Sequence, residues 1–274
     1  MERALAVIDK WGADHAAAAV VTSGGVAARR GDPDQVFRWA SVTKVVTALT
    51  VLIAAERGVV SLDDAAGPPG STVRHLLAHA SGLEFEGHMT LAAPGTRRIY
   101  SNAGFDTLAA HVSERAGVPF EKLMRTSVLE PLGMTRTTLR ERPSQGLYAP
   151  IADASTLATE LLRPTVVSPT TFAAATSVAF PGIAGLLPGV GRFDPLDWGL
   201  GFELHDGKSP HWMPEASSPA TFGHFGGSGT ALWVDPVADV ALVLLTDREY
   251  DEWALEAWPR LGDQVLGLAA STDT

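Results

Sequence analysis

Ser41 and Lys44 stand three residues apart in the stretch Phe37-Arg38-Trp39-Ala40-Ser41-Val42-Thr43-Lys44-Val45-Val46-Thr47-Ala48-Leu49. If the apolar run that begins there is helical, positions i and i+3 share a face and the Lys44 amine lies over the Ser41 hydroxyl. A free serine hydroxyl is a weak nucleophile that needs an adjacent base. A lysine amine pressed against apolar surface loses its proton near neutrality and can serve as that base. At the helix N-terminus, unpaired N–H groups would also favour developing negative charge. The tetrapeptide alone reads equally well as a capping serine beside a solvated lysine. Two further stretches supply matching chemistry. Tyr100-Ser101-Asn102 offers a phenol and an amide. A tyrosine whose pKa is lowered by a nearby lysine can pass a proton between serine and leaving group. Gly223-His224-Phe225-Gly226-Gly227-Ser228-Gly229 lies beside an expected strand, and its glycines let a substrate approach the backbone closely.

Composition narrows what such a set can be. The chain has 274 residues, 46% of them hydrophobic, enough for one large domain or two interleaved ones. The formal net charge is −10, and no Lys/Arg cluster suggests a nucleic-acid surface. Cysteine is absent, which excludes disulfides, cysteine-ligated zinc and a thiol nucleophile. The segment Met1-Glu2-Arg3-Ala4-Leu5 lacks the apolar core of a signal peptide, and no apolar run is long enough to span a membrane. A cytoplasmic protein is expected, or a periplasmic or extracellular one if a leader has been removed.

The elements that must hold these residues follow from periodicity and turn chemistry. Residues 3–12 suggest a short helix with Ala4, Leu5, Val7, Ile8 and Trp11 inward. Ala16–Thr22 and residues 26–30 form a hairpin about Ser23-Gly24-Gly25. The helix from Ser41 is apolar on most sides, hence central, and Gly58 stops it. Ser71 or Thr72 caps a short helix over residues 73–79, and Asn102–Ala116 is helical up to Gly117. Further helices are expected over residues 119–127, 153–163 and 168–179, with residues 181–195 a long irregular loop. Strands return at residues 198–204, 230–234 and 240–246, followed by a last helix from Asp251 interrupted at Pro259. Strands at both ends and helices between them give a mixed α/β (α+β) fold. An antiparallel sheet built from both chain ends would occupy residues 1–58 and 190–274, with an inserted helical domain at 59–189.

In this order the three motifs resemble the serine beta-lactamase and penicillin-recognising hydrolase family, and within it the class C branch, with its D-alanyl-D-alanine carboxypeptidase and esterase relatives. The family pattern of Ser-x-x-Lys, Tyr-x-Asn and Lys/His-x-Gly is met by Ser41-Val42-Thr43-Lys44, Tyr100-Ser101-Asn102 and His224-Phe225-Gly226. Residues 72–83, Pro94-Gly95-Thr96 and Glu130-Pro131-Leu132-Gly133-Met134 are also similar to the family. The resemblance implies a beta-lactamase/transpeptidase-like fold and no cofactor. It implies Ser41 as the acylated nucleophile, Lys44 as its base partner and Tyr100 as the proton shuttle. Asn102 would orient Lys44 and the substrate, His224 would take the third-motif position, and the N–H groups of Ser41 and Gly227 would form the oxyanion hole. Phe225 departs from the pattern, standing where a small hydroxyl residue is usual.

His75 and His79, spaced i and i+4, fit one face of a metal site, but no third ligand is evident and no metal is expected. The seven tryptophans read mostly as core or cleft lining, with Trp198, Trp212 and Trp233 candidates to line a groove, and Asp63-Asp64 reads as a solvated turn. The expected activity is hydrolysis of small-molecule carboxylic esters, and of beta-lactams as a further substrate, through a Ser41 acyl-enzyme. The alternatives are a beta-lactamase or D-Ala-D-Ala carboxypeptidase proper, and a non-catalytic binding relative. The sequence gives no oligomeric state.

Overall fold

The main sheet is assembled from both ends of the chain. The structure, a computed structural model, describes residues 1–271. Its elements are α1 (Glu2–Leu5), β1 (Ala16–Thr22), β2 (Gly25–Arg30), β3 (Val36–Arg38), α2 (Thr43–Glu56), α3 (Val73–Leu77), β4 (Arg98–Ile99), α4 (Asn102–Ala116), α5 (Phe120–Met124), β5 (Thr138–Leu139), β6 (Leu147–Pro150), α6 (Ile151–Leu162), α7 (Pro169–Ala175), β7 (Gly185–Leu187), β8 (Gly191–Phe193), β9 (Glu203–Leu204), β10 (Phe222–Gly226), β11 (Thr230–Asp235), β12 (Val240–Thr246) and α8 (Glu252–Ala270). The six-stranded sheet runs β2-β1-β12-β11-β10-β9, antiparallel throughout.

Both faces of this sheet are covered. Ala17, Ala19 and Val21 of β1 join a core containing α2 and α6. Ala18 and Val20 of the same strand face a second core with Trp258, Leu261 and Val265 of α8. That explains why β1 and β12 read as unbroken apolar runs rather than alternating ones. In α2, every residue from Thr43 to Ala54 is buried, as an all-round apolar helix requires. The first core extends without a break from the sheet through α2 into α3 and α4. Within the stretch expected to be an inserted helical domain, α6 packs directly on β1 and β12.

Local capping sets the helices around the site. The Ser101 hydroxyl accepts from the Gly104 N–H at the start of α4, and Gly117 ends that helix. Thr72 caps α3. Elsewhere the expectations need correction. Residues 3–12 form α1 and a separate 3-10 turn, Ala6–Lys10, and Val7 is exposed. The π turn Arg125–Leu129 continues α5. Residues 181–195 are not an irregular loop. They hold the hairpin β7–β8, with β7 parallel to β4, a pairing to a segment nearly ninety positions earlier that no local pattern signals. The expected strand over 198–204 shrinks to Glu203–Leu204, because Gly201 adopts φ +93°, a turn conformation rather than an extended one. Helix α8 runs through Pro259, held by Trp258 and Leu261 buried on either side of the proline. No helix among the described residues is long and apolar enough to cross a membrane.

Candidate active site

Ser41 sits in a 3-10 turn, Ala40–Val42, that feeds α2. Lys44, in the first turn of α2, is fully buried. Its Nζ lies 3.2 Å from Ser41 Oγ, 2.5 Å from Asn102 Oδ1 and 2.8 Å from the Ser144 carbonyl oxygen. An ammonium has three N–H bonds, and all three are used here. Loss of one proton leaves two N–H groups for the two carbonyl acceptors, with the lone pair facing the serine hydroxyl. Burial brings the Lys44 pKa down to about 7; the carboxylates of Asp106 and Glu86 oppose that fall and the Arg142 guanidinium adds to it. An amine in that state can accept a proton near neutral pH.

Tyr100 approaches from the start of α4. Its ring centroid is 4.8 Å from Lys44 Nζ. The sequence reading expected a lowered phenol pKa, and the structure gives the opposite. Burial raises it, and a hydrogen bond with Ser41 offsets this only in part. Tyr100 is thus a neutral phenol that can donate a proton.

Asn102 is held from behind. Its Nδ2 donates to Glu86 Oε1 at 2.8 Å. Glu86 in turn receives both terminal nitrogens of Arg142, at 2.8 Å each, and Arg142 also pairs with Asp106 at 3.1 Å. Asp106 accepts from the Ser144 N–H at 3.1 Å, so the network closes around the Lys44 acceptors.

The third motif is itself a strand, β10, and its turn clamps the chain just before Ser41. Ser228 Oγ donates to the Arg38 carbonyl at 2.7 Å, and Thr230 Oγ1 donates to the Trp39 carbonyl at 2.8 Å. Between these anchors and Ser41, Ala40 adopts φ +45°, a strained conformation for a residue with a side chain. Gly226 packs so closely here that a Cβ would strike the Trp39 carbonyl oxygen and the Thr230 hydroxyl. His224 is buried, and desolvation with the nearby Lys44 charge pushes its pKa to about 3. It is neutral, its Nδ1 bonded to the Phe225 carbonyl at 2.7 Å, and so is no cationic anchor.

A cavity of about 260 Å³ opens over Ser41. Tyr100, Asn102, Phe225, Gly227, Tyr250 and Arg38 contribute to its wall. The structure thus brings Ser41, Lys44, Tyr100 and Asn102 into one contact set. Phe225 and Gly227 line the cavity, while His224 lies behind it with ring centroids 5.8 Å from Tyr100. The Phe225 ring stacks on Tyr250 at 4.5 Å. Trp198, Trp212 and Trp233, candidates for groove lining, are instead core residues 0–1% exposed. The two histidines of the i, i+4 pair diverge. His75 stacks on Phe180 and His79 on Tyr100. Asp64 closes its turn on the Ser61 N–H. Sequence reasoning missed Glu86, Arg142, Asp106, Ser144 and the two clamping hydroxyls. Each acts through contacts across long chain separations, and only Ser228 lay within a stretch already singled out.

Comparison with known proteins gives a consistent result. Residues 7–266 match the family model described as Beta-lactamase. A protein of Escherichia coli (strain K12) named D-alanyl-D-alanine-carboxypeptidase/endopeptidase AmpH is 30% identical over 149 residues, covering 41% of this chain and 39% of that protein. The match thus spans about two-fifths of that relative's length. A crystal structure of a beta-lactamase from Mycobacterium bovis is 51% identical, with a TM-score of 0.95 over 97% of this chain and 99% of that one. Unliganded simvastatin synthase LovD from Aspergillus terreus shares the fold at 17% identity, with a TM-score of 0.78 over 97% of both chains.

Proposed function

The chain belongs to the beta-lactamase family of hydrolytic enzymes, and on that premise we propose that it is a serine hydrolase acting through a Ser41 acyl-enzyme on carboxylic esters with short acyl groups. The observation that carries this reading is the buried Lys44 amine, 3.2 Å from Ser41 Oγ, with its pKa brought to about 7. Neutral Lys44 takes the Ser41 proton as Oγ attacks the ester carbonyl carbon. The N–H groups of Ser41 and Gly227 receive the developing oxyanion. The carbon–oxygen bond to the alcohol then breaks, and Tyr100 donates its proton to the departing oxygen. Tyr100 is made good by the proton held on Lys44. Water repeats the cycle on the acyl-enzyme and releases the acid.

Esters are preferred because the cavity offers no free cation to a substrate carboxylate. His224 is neutral, Phe225 supplies a ring in place of a hydroxyl, and Arg38 is engaged by Glu141 at 3.0 Å. Leaving an anion unpaired against that wall is costly. A beta-lactamase reading is favoured by one observation, the 51% identity to the Mycobacterium bovis protein of that name; the carboxypeptidase reading rests on the partial match to AmpH. Measurement of kcat/KM for p-nitrophenyl butyrate and a chromogenic cephalosporin side by side decides among them. The ester is expected to be turned over faster; a wide margin for the cephalosporin overturns the preference. Intact mass after treatment with a fluorophosphonate tests the chemistry itself. A covalent adduct on Ser41 is expected, and its absence under all conditions supports a binding protein without catalysis.

A further inference from the structure

Beside the cavity over Ser41, at Tyr100, lies a second one of about 320 Å³. The two share Phe85, Tyr100 and Pro188 as walls. The second is lined further by Leu91, Leu186 and Arg97. Its apolar side chains are unusually open, with Phe85 49%, Leu91 54% and Leu186 57% exposed. Large apolar side chains gathered around a concave surface mark a binding groove more often than they occur by chance. The hairpin β7–β8 builds one wall, placed by the pairing of Ile99 with Leu186. Arg98 cannot serve a ligand there. It is buried, and its guanidinium donates to the carbonyls of Leu196, Ala78, Ala179 and Phe180. Arg97 is exposed and has no ion-pair or hydrogen-bond partner among the described residues. No carboxylate lines either cavity.

We propose that this groove is the alcohol-side subsite and takes leaving groups with an apolar arm ending in an anion, the arm against Phe85, Leu91 and Leu186 and the anion on Arg97. The inference rests on the serine-hydrolase reading above for its direction. The departing oxygen must lie against Tyr100 to receive a proton, and the groove begins at Tyr100. An extended chain rises about 3.3 Å per residue, so the Cα atoms of Arg97 and Tyr100 are about 10 Å apart, which sets the scale of the arm. An arm of five or six methylenes bridges that span. The acyl side stays in the smaller cavity over Ser41.

The test compares 6-(butyryloxy)hexanoate with hexyl butyrate, which release the same acid and differ only at the end of the alcohol arm. The ratio of their kcat/KM values is expected to favour the anionic ester in the native protein. It should fall roughly two- to fivefold in Arg97→Gln and be restored in Arg97→Lys, as for an exposed charge contact. It should also fall as salt is raised. A second arm needs no turnover. In a Ser41→Ala background, the fluorescence of 8-anilinonaphthalene-1-sulfonate, an apolar anion, should titrate to saturation and weaken in both Arg97→Gln and Leu186→Asp. An unchanged ester ratio in Arg97→Gln, or dye affinity indifferent to both substitutions, overturns the subsite. If neither ester is cleaved, the hydrolase reading fails and the dye titration still decides the groove.

Discussion

The imidazole of His79 lies against the Tyr100 phenol with ring centroids 4.5 Å apart, and His79 also holds the backbone on both sides of that tyrosine. Its carbonyl accepts from the Ile99 N–H at 2.9 Å, and its Nδ1 accepts from the Ser101 N–H at 3.1 Å. Burial keeps the ring neutral, with its pKa well below the ordinary value, so Nδ1 remains available as an acceptor. His79 adopts φ +53°, a conformation that asparagine tolerates better than most residues.

Two substitutions at His79 therefore separate. His79→Asn keeps an acceptor for Ser101 and suits the backbone, whereas His79→Leu provides neither. With p-nitrophenyl butyrate, His79→Leu is expected to lower kcat about 10- to 100-fold with little change in KM, because the phenol and not the binding surface is misplaced. His79→Asn should recover much of the loss. Equal losses in the two variants, or a loss carried by KM, would show that His79 does not act by positioning Tyr100.

The pH profile should have one acid limb near 7. Below that pH Lys44 holds its proton and cannot accept another from Ser41; above it the amine is free. Tyr100 stays protonated across the neutral range because burial raises its pKa. Tyr100→Phe should therefore lower the rate of acylation without moving the limb by much. Stopped-flow acylation between pH 5 and 9 checks this, and a limb that vanishes in Tyr100→Phe would assign it to the tyrosine.

Lys44 and Tyr100 both contact Ser41, so their losses should not add. Lys44→Ala and Tyr100→Phe are each expected to slow acylation by orders of magnitude. The double variant should be little worse than the slower single one. Strict additivity would mean that the two residues serve separate steps.

Holding an amine with a depressed pKa in the interior also has a signature in stability. The folded protein binds the Lys44 proton less tightly than the unfolded chain, whose lysine titrates near 10.5. Its penalty is fully present below pH 7 and is relieved as pH rises towards 10.5. Against Lys44→Met, native stability should therefore improve with pH across that window, by at most about 1.4 kcal/mol per pH unit. Urea unfolding of both proteins at pH 7, 8 and 9 reads the difference. A constant gap would mean that Lys44 keeps its proton in the folded state.

The parts of the fold visible in the sequence were those governed by local rules. Ser101 and Gly117 bound α4 as their cap chemistry dictates, and the apolar run after Ser41 is a buried helix. The three motifs were legible because side-chain chemistry and order along the chain are sequence properties. What was not legible depends on tertiary contact. The β7–β8 hairpin exists because β4 pairs with it, and its Gly/Pro-rich residues carry no strand pattern of their own. The direction of the Tyr100 pKa shift runs against the sequence expectation for a related reason. The proximity of Lys44 was correctly expected, but burial outweighs it, and burial at a helix start is not written in neighbouring residues. For the tryptophans the sequence left core and cleft lining open, since the two look alike there, and burial puts Trp198, Trp212 and Trp233 in the core.

Gly226 and Gly227 are adjacent in the third motif but face different surroundings, and this supports a last prediction. A Cβ at Gly226 would strike the Trp39 carbonyl oxygen and the Thr230 hydroxyl and come within 3.1 Å of Ala40 Cβ, whereas one at Gly227 meets nothing within 4 Å. The obstructed atoms belong to the clamp that holds Ala40 at φ +45° and so aims Ser41. Relief of the clash must come from moving strand β10 or the turn that carries Ser41, because the atoms struck include backbone. Gly226→Ala should therefore destabilise the protein by about 1–3 kcal/mol, as overpacking does, and lower kcat more than that loss of folded protein explains. Gly227→Ala should change stability by less than about 0.5 kcal/mol. Thr230→Val provides the control. It keeps the shape of the side chain but removes the donor to the Trp39 carbonyl, which retains the Val42 N–H at 3.2 Å, so the cost is that of one hydrogen bond, about 0.5–1.5 kcal/mol. If the clamp aims the serine, acylation by folded Thr230→Val protein should be slowed as well. Wild-type acylation rates in folded Gly226→Ala and Thr230→Val proteins would show that the strand supports the turn without orienting Ser41.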